Sequence, residues 1–480
     1  MTDDLYGLAM TVLHPGFDGT SVPDWMRRAL GEGLGGVVLF ARNAIDERLV
    51  RSLRSERPDT VIAIDEEGGS VTRLEVEAGS SFPGNRALGV VDDVELTRRV
   101  GRQIGRMLAG LDITLDYAPS ADVNSNPANP VIGVRSFGPD PGLVARHTVA
   151  FVHGVQGAGV AACAKHFPGH GDTVTDSHLA LPTVHASREV LVERDLPPFR
   201  AAVDAGVRAV MSGHLLIPAL DPEAPATLSR TAMTGLLRGE LGFDGMLVTD
   251  AIEMRAVAAM FAPGEIAVRA LNAGVDAICL GLTTEDGLRE IRDAIVAAVR
   301  AGVLPEERLA EAATRVRALS GWYAGQSALR DKARADLDDG VGLAVARAAL
   351  TTTGTAALGG RAPLVVEVNT RLSQAVDPAT PTGVTAALGA LLPGTERVRM
   401  EPEGELPELA RAGDRPVVLV VHDAARHAWV REAVARAVAL RPDIVVVDTG
   451  IPAAPAGAAH VATHGISRVS AQAAAEWLIR

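Results

Sequence analysis

The residues best equipped for chemistry lie in one stretch, Lys165-His166-Phe167-Pro168-Gly169-His170-Gly171-Asp172-Thr173, continuing to Asp176-Ser177-His178. Asp176 and His178 are two residues apart on a turn-rich loop. A carboxylate there can hold an imidazole by one nitrogen and raise its proton affinity, leaving the other nitrogen to donate or accept a proton. Pro168, Gly169 and Gly171 forbid a regular helix, so His166 and His170 are not an i,i+4 metal pair. No HExxH motif or Cys/His ligand spacing occurs, and neither a metal nor a cofactor is expected. Asp250 directly follows the apolar run Gly-Met-Leu-Val-Thr. Because Ala-Ile-Glu-Met comes next, the local pattern leaves it open between a helix N-cap and a working carboxylate. Asp65 carries the same ambiguity, tipped toward function by Gly68 and Gly69, which let backbone approach a ligand closely.

Positioning these groups requires a scaffold. Up to about residue 320, short apolar runs alternate with amphipathic stretches. Eight runs read as strands: 7–13, 35–40, 61–65, 113–118, 160–166, 207–213, 245–250 and 275–281. Their continuous apolar character suits a parallel sheet covered on both faces. Helical patterns lie between them, as at 95–110 and 286–302. Several of these patterns end in a small residue and glycine before the next strand, which is a helix-stop signal. Eight strand–helix repeats predict a (β/α)8 barrel rather than a doubly wound sheet. No GxGxxG follows a first strand, which also disfavours dinucleotide binding. In such a barrel the carboxyl ends of the strands form the active face. The runs ending at Asp65, at Lys165-His166, near Ser212-Gly213-His214 and at Asp250 all deliver polar groups there. Isolated buried charge costs several kcal/mol, so this concentration of polarity points to a site.

A chain of 480 residues exceeds one hydrophobic core. The predicted division is a barrel over 1–322, a linker or connecting helix over 323–350, and a smaller α/β three-layer sandwich domain over 351–480. The strand-like runs of that last domain are 363–368, 416–421 and 443–448. Its His422, Asp423 and Asp448 sit near strand ends without sharing a motif, so a structural or specificity role is expected. The net charge of −13 argues against nucleic acid or an anionic membrane as partner. No apolar run reaches membrane-spanning length and no signal-peptide pattern opens the sequence, so a cytoplasmic location is expected. Cys163 and Cys279 sit in apolar runs and read as buried thiols. Lys165 and Lys332 are the only lysines in an arginine-rich chain.

The segment 165–178, KHFPGHGDTVTDSH, closely resembles the signature of family-3 β-N-acetylglucosaminidases of the NagZ type, including two-domain members. The stretches 33–43, 64–74, 117–124, 129–138 and 248–254 fall in the family's order, so the resemblance spans the barrel. It implies Asp250 as the nucleophile that forms a covalent glycosyl-enzyme. It also implies His178 as the acid/base, with Asp176 as its partner. Asp65, Arg73, Arg135, Lys165 and His166 would bind hydroxyls of a terminal N-acetylglucosamine. A compact ammonium suits that task at Lys165 where a guanidinium fork would not fit. Ser70 departs from the family, in which many members carry Arg after the double glycine, so contacts near the rim are expected to differ.

The implied activity is retaining hydrolysis of N-acetylglucosaminides from cell-wall fragments or chitin-type oligosaccharides. Imidazole in place of a second carboxylate would not repel an anion, so phosphate is carried as an alternative acceptor to water. Two further readings are less favoured: a Lys165 Schiff-base enzyme, and a non-catalytic sugar-binding barrel.

Overall fold

The structure is a computed structural model that describes residues 4–336, 339–355, 358–368, 370, 372–401, 409 and 412–480. By contacts the chain forms two compact units. One comprises Met1–Glu66, Thr97–Val123 and Pro139–Asp338; the other comprises Glu67–Leu96, Asn124–Gly138 and Asp339–Arg480. Two segments from within the 1–322 stretch, 67–96 and 124–138, thus group with the residues after 338.

The first unit carries strands β1 (Leu13–Pro15), β2 (Gly36–Leu39), β3 (Val61–Ile64), β4 (Leu115–Asp116), β5 (Ala161–Phe167), β6 (Ala209–Ser212), β7 (Met246–Thr249) and β8 (Ile278–Leu280). β2 to β7 pair in parallel and in sequence order, and β1 pairs in parallel with β8. A parallel bridge between Val248 and Ala277 joins β7 to β8. The Gly35 N–H donates to the Met10 carbonyl at 3.1 Å, linking the approach to β2 with the segment before β1. With helices on the crossovers, this is the expected (β/α)8 barrel. Its interior is filled by small and medium side chains, among them Ala63, Leu115, Ala161, Cys163, Ala209, Met246, Val248 and Cys279. Both cysteines are buried and unbonded.

The helix-stop glycines behave as their sequence context predicts. Gly274 ends the helix Pro263–Ala273 with φ +119°, its N–H bonded back to Ala270 and Leu271, and the chain then turns into β8. The first predicted strand is a correction. Most of 7–13 is the helix Leu5–Thr11, and β1 begins only at Leu13. A seven-residue apolar run rich in Leu, Ala and Met is compatible with either state, and periodicity cannot separate them. Here the Thr11 hydroxyl donates to the Gly7 carbonyl one turn back, at 2.8 Å.

The second unit holds β9 (Thr351–Gly354), β10 (Leu364–Val368), β11 (Glu396–Met400), β12 (Val417–Val421), β13 (Val445–Asp448) and β14 (Ala459–Ala462), in spatial order β11-β10-β12-β13-β14-β9. All neighbours are parallel except the β14–β9 pair. One face of the sheet packs on the helix Ala428–Leu440, the other on Thr385–Leu391 and Arg468–Leu478. This is a three-layer α/β arrangement, as expected. The sequence runs located β10, β12 and β13 but passed over β9, β11 and β14. Edge strands β9 (TTTG) and β11 (ERVRM) are polar because one side of each meets water.

Candidate active site

Six of the eight residues singled out in the sequence belong to the barrel unit: Asp65, Lys165, His166, Asp176, His178 and Asp250. β5 carries Lys165 and His166 near its carboxyl end, next to the residue that follows β3. The Lys165 ammonium, 2% exposed, bonds Asp65 Oδ1 at 2.7 Å. A buried ammonium needs such a partner, and the pair ties two strand ends together.

His166 is fixed by Asp122, a residue within the 117–124 stretch that has no role assignable from sequence. This carboxylate is fully buried. It accepts the His166 ring Nδ1–H at 2.7 Å, the His166 backbone N–H, the His170 N–H at 2.7 Å and the Ser120 hydroxyl at 2.9 Å. Burial works to raise its carboxyl, but the His166 and His170 contacts outweigh burial and hold it below the usual range. An ionised carboxylate only accepts, so Nδ1 of His166 carries the proton and the ring presents Nε2. The available signal was a carboxylate shortly after the β4 run, in Ser-Ala-Asp-Val-Asn.

The loop after β5 is pinned by His170, whose ring bonds the Thr173 hydroxyl at 2.8 Å and the Ser177 hydroxyl at 3.1 Å. It carries Asp176 and His178 at its far end. His178 Nδ1 lies 2.7 Å from Asp176 Oδ1, and the same oxygen accepts the His178 backbone N–H at 2.9 Å. Asp176 is 8% exposed by side chain and His178 32%. Burial opposes ionisation of Asp176, but its bonds to His178 hold the carboxyl low. With Nδ1 donating, Nε2 of His178 has no protein hydrogen-bond partner among the described residues.

Asp250 follows β7 and is half-buried. No helix starts there: 251–254 is a turn, and the helix Arg255–Ala258 is preceded by Met254. The N-cap reading therefore falls. One oxygen accepts the Ala251 N–H at 2.8 Å. Burial would raise this carboxyl, yet His166, His214 and His178 together with that N–H hold it below its ordinary value. His214 is fully buried and kept toward the neutral form by burial, against the charge of Asp250. Its Nε2 donates to the Ala251 carbonyl at 3.1 Å while Nδ1 meets the Thr227 hydroxyl at 2.9 Å. It braces the residue next to Asp250. Among the described residues no group of three or more His, Cys, Asp or Glu is placed to hold a metal ion.

Arg73 and Arg135 fall in the other unit. Arg135 is buried and forks onto Glu67, with Nε–Oε2 3.0 Å and Nη2–Oε1 2.7 Å, a bidentate charge pair. Arg73 donates to the Ala375 carbonyl at 3.1 Å. Glu67 lies in the 64–74 stretch, where nothing local to the sequence marks it as the partner of Arg135. Gly68 and Gly69 both have positive φ. The close approach at Gly69 is to protein, since a Cβ there would stand 2.5 Å from Gly84 Cα.

Charge and imidazole at the carboxyl ends of β3, β5, β6 and β7 make this a barrel of the catalytic type. Residues 17–319 match the family described as the glycosyl hydrolase family 3 N-terminal domain. Beta-hexosaminidase A of Pseudoalteromonas piscicida is 40% identical over 270 residues, 51% of this chain and 45% of that protein, so the chain spans less than half of that relative's length. A beta-hexosaminidase of Pseudomonas aeruginosa is 36% identical over 311 residues, 62% of this chain and 90% of that one. The solved structure of a glycoside hydrolase family 3 beta-N-acetylglucosaminidase from Paenibacillus sp. str. FPU-7 aligns with a TM-score of 0.88 at 34% identity, covering 100% of this chain and 97% of that chain. The chain belongs to glycosyl hydrolase family 3, as its motifs foretold.

Proposed function

We propose that the protein is a retaining β-N-acetylglucosaminidase that releases terminal N-acetylglucosamine through a covalent glycosyl-Asp250 intermediate. The observation that carries this reading is the pairing of Asp176 with His178 beside a carboxylate, Asp250, held ionised by imidazoles. In the first step, Nε2 of protonated His178 gives its proton to the leaving glycosidic oxygen while an Asp250 oxygen attacks the anomeric carbon. The aglycone departs as an alcohol. In the second step, neutral His178 takes a proton from water, whose oxygen attacks the same carbon and frees Asp250. Asp176 keeps the imidazole oriented through its Nδ1. Asp65, Lys165 and His166 are the proposed hydroxyl ligands from the barrel. Arg73 and Arg135 are proposed sugar ligands on the sequence resemblance alone.

Cell-wall fragments and chitin-type oligosaccharides are the proposed substrate classes. Water is the proposed acceptor, a choice supported by the hexosaminidase names of the relatives. Among the described residues no helix is long and apolar enough to cross a membrane. Product analysis on chitobiose and on N-acetylglucosaminyl-1,6-anhydro-N-acetylmuramic acid, with and without phosphate, tests substrate and acceptor together. Free N-acetylglucosamine is expected in both buffers; a sugar 1-phosphate formed only with phosphate would replace water as acceptor. Asp250→Ala should lower chromophore release from a nitrophenyl N-acetylglucosaminide by roughly 10³-fold or more. Unchanged turnover would remove Asp250 from the mechanism.

A further inference from the structure

The sheet of the second unit reverses its winding at β10. The chain leaving β10 goes to β11 on one side, whereas the chain leaving β12 goes on to β13 and β14 on the other. In open parallel α/β sheets, that reversal leaves a crevice outside the carboxyl ends of the two central strands, where ligands bind. A cavity of about 390 Å³ occupies this place, lined at the ends of β10 and β12 by Glu367 and His422, by Arg397 and Arg399 of β11, and by Thr380 of the intervening loop. That volume suits a ligand of monosaccharide to disaccharide size.

The walls carry a definite chemistry. Arg397 and Arg399 are alternate residues of a strand, so they share one face. The carboxylate facing Arg397 is Glu367, at 3.8 Å, outside hydrogen-bond distance, and Arg399 has no ion pair among the described residues. Glu367 is buried and held in place, its Oε1 accepting the Thr385 hydroxyl at 2.6 Å. The loop passes as close to it as glycine allows: a Cβ on Gly383 would stand 2.1 Å from the same oxygen. Thr380 is 4% exposed and its hydroxyl has no hydrogen-bond partner among the described residues. A buried hydroxyl left unmatched is costly and calls for a polar group from elsewhere. Two guanidinium groups against one carboxylate give the lining a net positive charge in a chain of net −13.

We propose that this cavity binds a small polyhydroxylated acid, a sugar phosphate or sugar carboxylate, with its oxyanion on Arg397 and Arg399 and its hydroxyls on Glu367 and Thr380. It is a second carbohydrate site, independent of the barrel residues assigned above. Arginine forks match either oxyanion geometry, and the carboxylate and hydroxyl supply acceptor and donor for ring oxygens.

Calorimetric titration of the full chain with glucose 6-phosphate, glucuronate, glucose and inorganic phosphate tests this. At least one of the two sugar acids should bind saturably and about tenfold more tightly than glucose or inorganic phosphate, and the stronger of the two identifies the oxyanion. The double variant Arg397→Gln/Arg399→Gln should weaken that binding about tenfold or more while leaving N-acetylglucosaminide turnover unchanged. Both positions are exposed, so the fold should tolerate the change. Thr380→Val provides a second variant and should weaken the sugar acid only. The proposal is overturned if neither acid binds, if glucose or phosphate binds as well as the acids, or if the double variant binds them unchanged.

Discussion

His178 takes its orientation from Asp176 through two bonds to a single oxygen, one from the ring and one from the backbone. Asp176→Asn keeps the shape but not the charge, so the imidazole loses its paired carboxylate. We expect kcat to fall by about 10²–10⁴-fold with KM little changed, the signature of a group that acts through His178, the proposed proton donor. Steady-state kinetics on an N-acetylglucosaminide check this, and an equal loss in KM alone would contradict it. Asp122 plays a different part, because the bonds it accepts hold both His166 and the backbone at His170. In Asp122→Asn an amide N–H must face a donor, and a buried charge-assisted pair is broken. A loss of about 3–5 kcal/mol in unfolding free energy is expected, read by urea denaturation. A rise in KM should accompany it as His166 loses its fixed tautomer.

At the scale of elements, the turn after Asp65 has little freedom. Gly69, at φ +60°, packs against the backbone of Gly84, and its N–H bonds the Phe82 carbonyl at 3.0 Å. Backbone cannot swing aside as a flexible side chain can. Gly69→Ala therefore combines a left-handed conformation with a clash and should cost about 1–3 kcal/mol, seen as a lower melting temperature. Gly133→Ala is a useful control: its φ is also positive, at +47°, but nothing stands within 4 Å of a Cβ there, so its cost should be smaller. The elements the sequence located were those whose local pattern agreed with their burial, such as β2, β3, β12 and β13. β9 and β11 escaped notice because their residues answer to water as well as to the sheet. The helix Leu5–Thr11 was taken for strand because seven apolar residues carry no periodicity that distinguishes the two.

For the molecule as a whole, pH acts on stability through buried carboxylates of opposite behaviour. Asp448, at the end of β13, is fully buried; one oxygen accepts the Gly450 N–H at 3.0 Å and the other has no hydrogen-bond partner among the described residues. Burial pushes its carboxyl up to about 7, with Asp423 adding to the rise against the Gly450 bond. The folded state then binds a proton that the unfolded state has already released, so this group removes stability as pH climbs from about 4 toward 7. Above that range the loss is constant, with a ceiling of roughly 4 kcal/mol from the size of the shift. Asp448→Asn keeps the acceptor for Gly450 and removes the penalty. Its melting temperature should match the parent near pH 4 and exceed it above pH 7; a gap that does not widen with pH would refute the assignment. Asp250, Asp176 and Asp122 work in the other direction: their depressed carboxyls support the fold at neutral pH and withdraw that support on acidification.

Read alone, the amino-acid sequence determined the barrel and the three-layer second domain, and it singled out the loop that carries Asp176 and His178. Each follows from short-range information: apolar runs of strand length, glycines at helix ends, and Asp176 and His178 side by side. Only the tertiary structure decided whether Asp250 caps a helix, because that depends on the path of residues 251–254. It alone showed that Asp122 holds His166, across 44 positions of sequence, and that Glu67 forks Arg135 across 68. It also placed segments 67–96 and 124–138 with the residues after 338. The physical reason is the same throughout. Local patterning reports the surroundings a residue must have, whereas a buried charge is satisfied by whichever partner the folded chain brings to it.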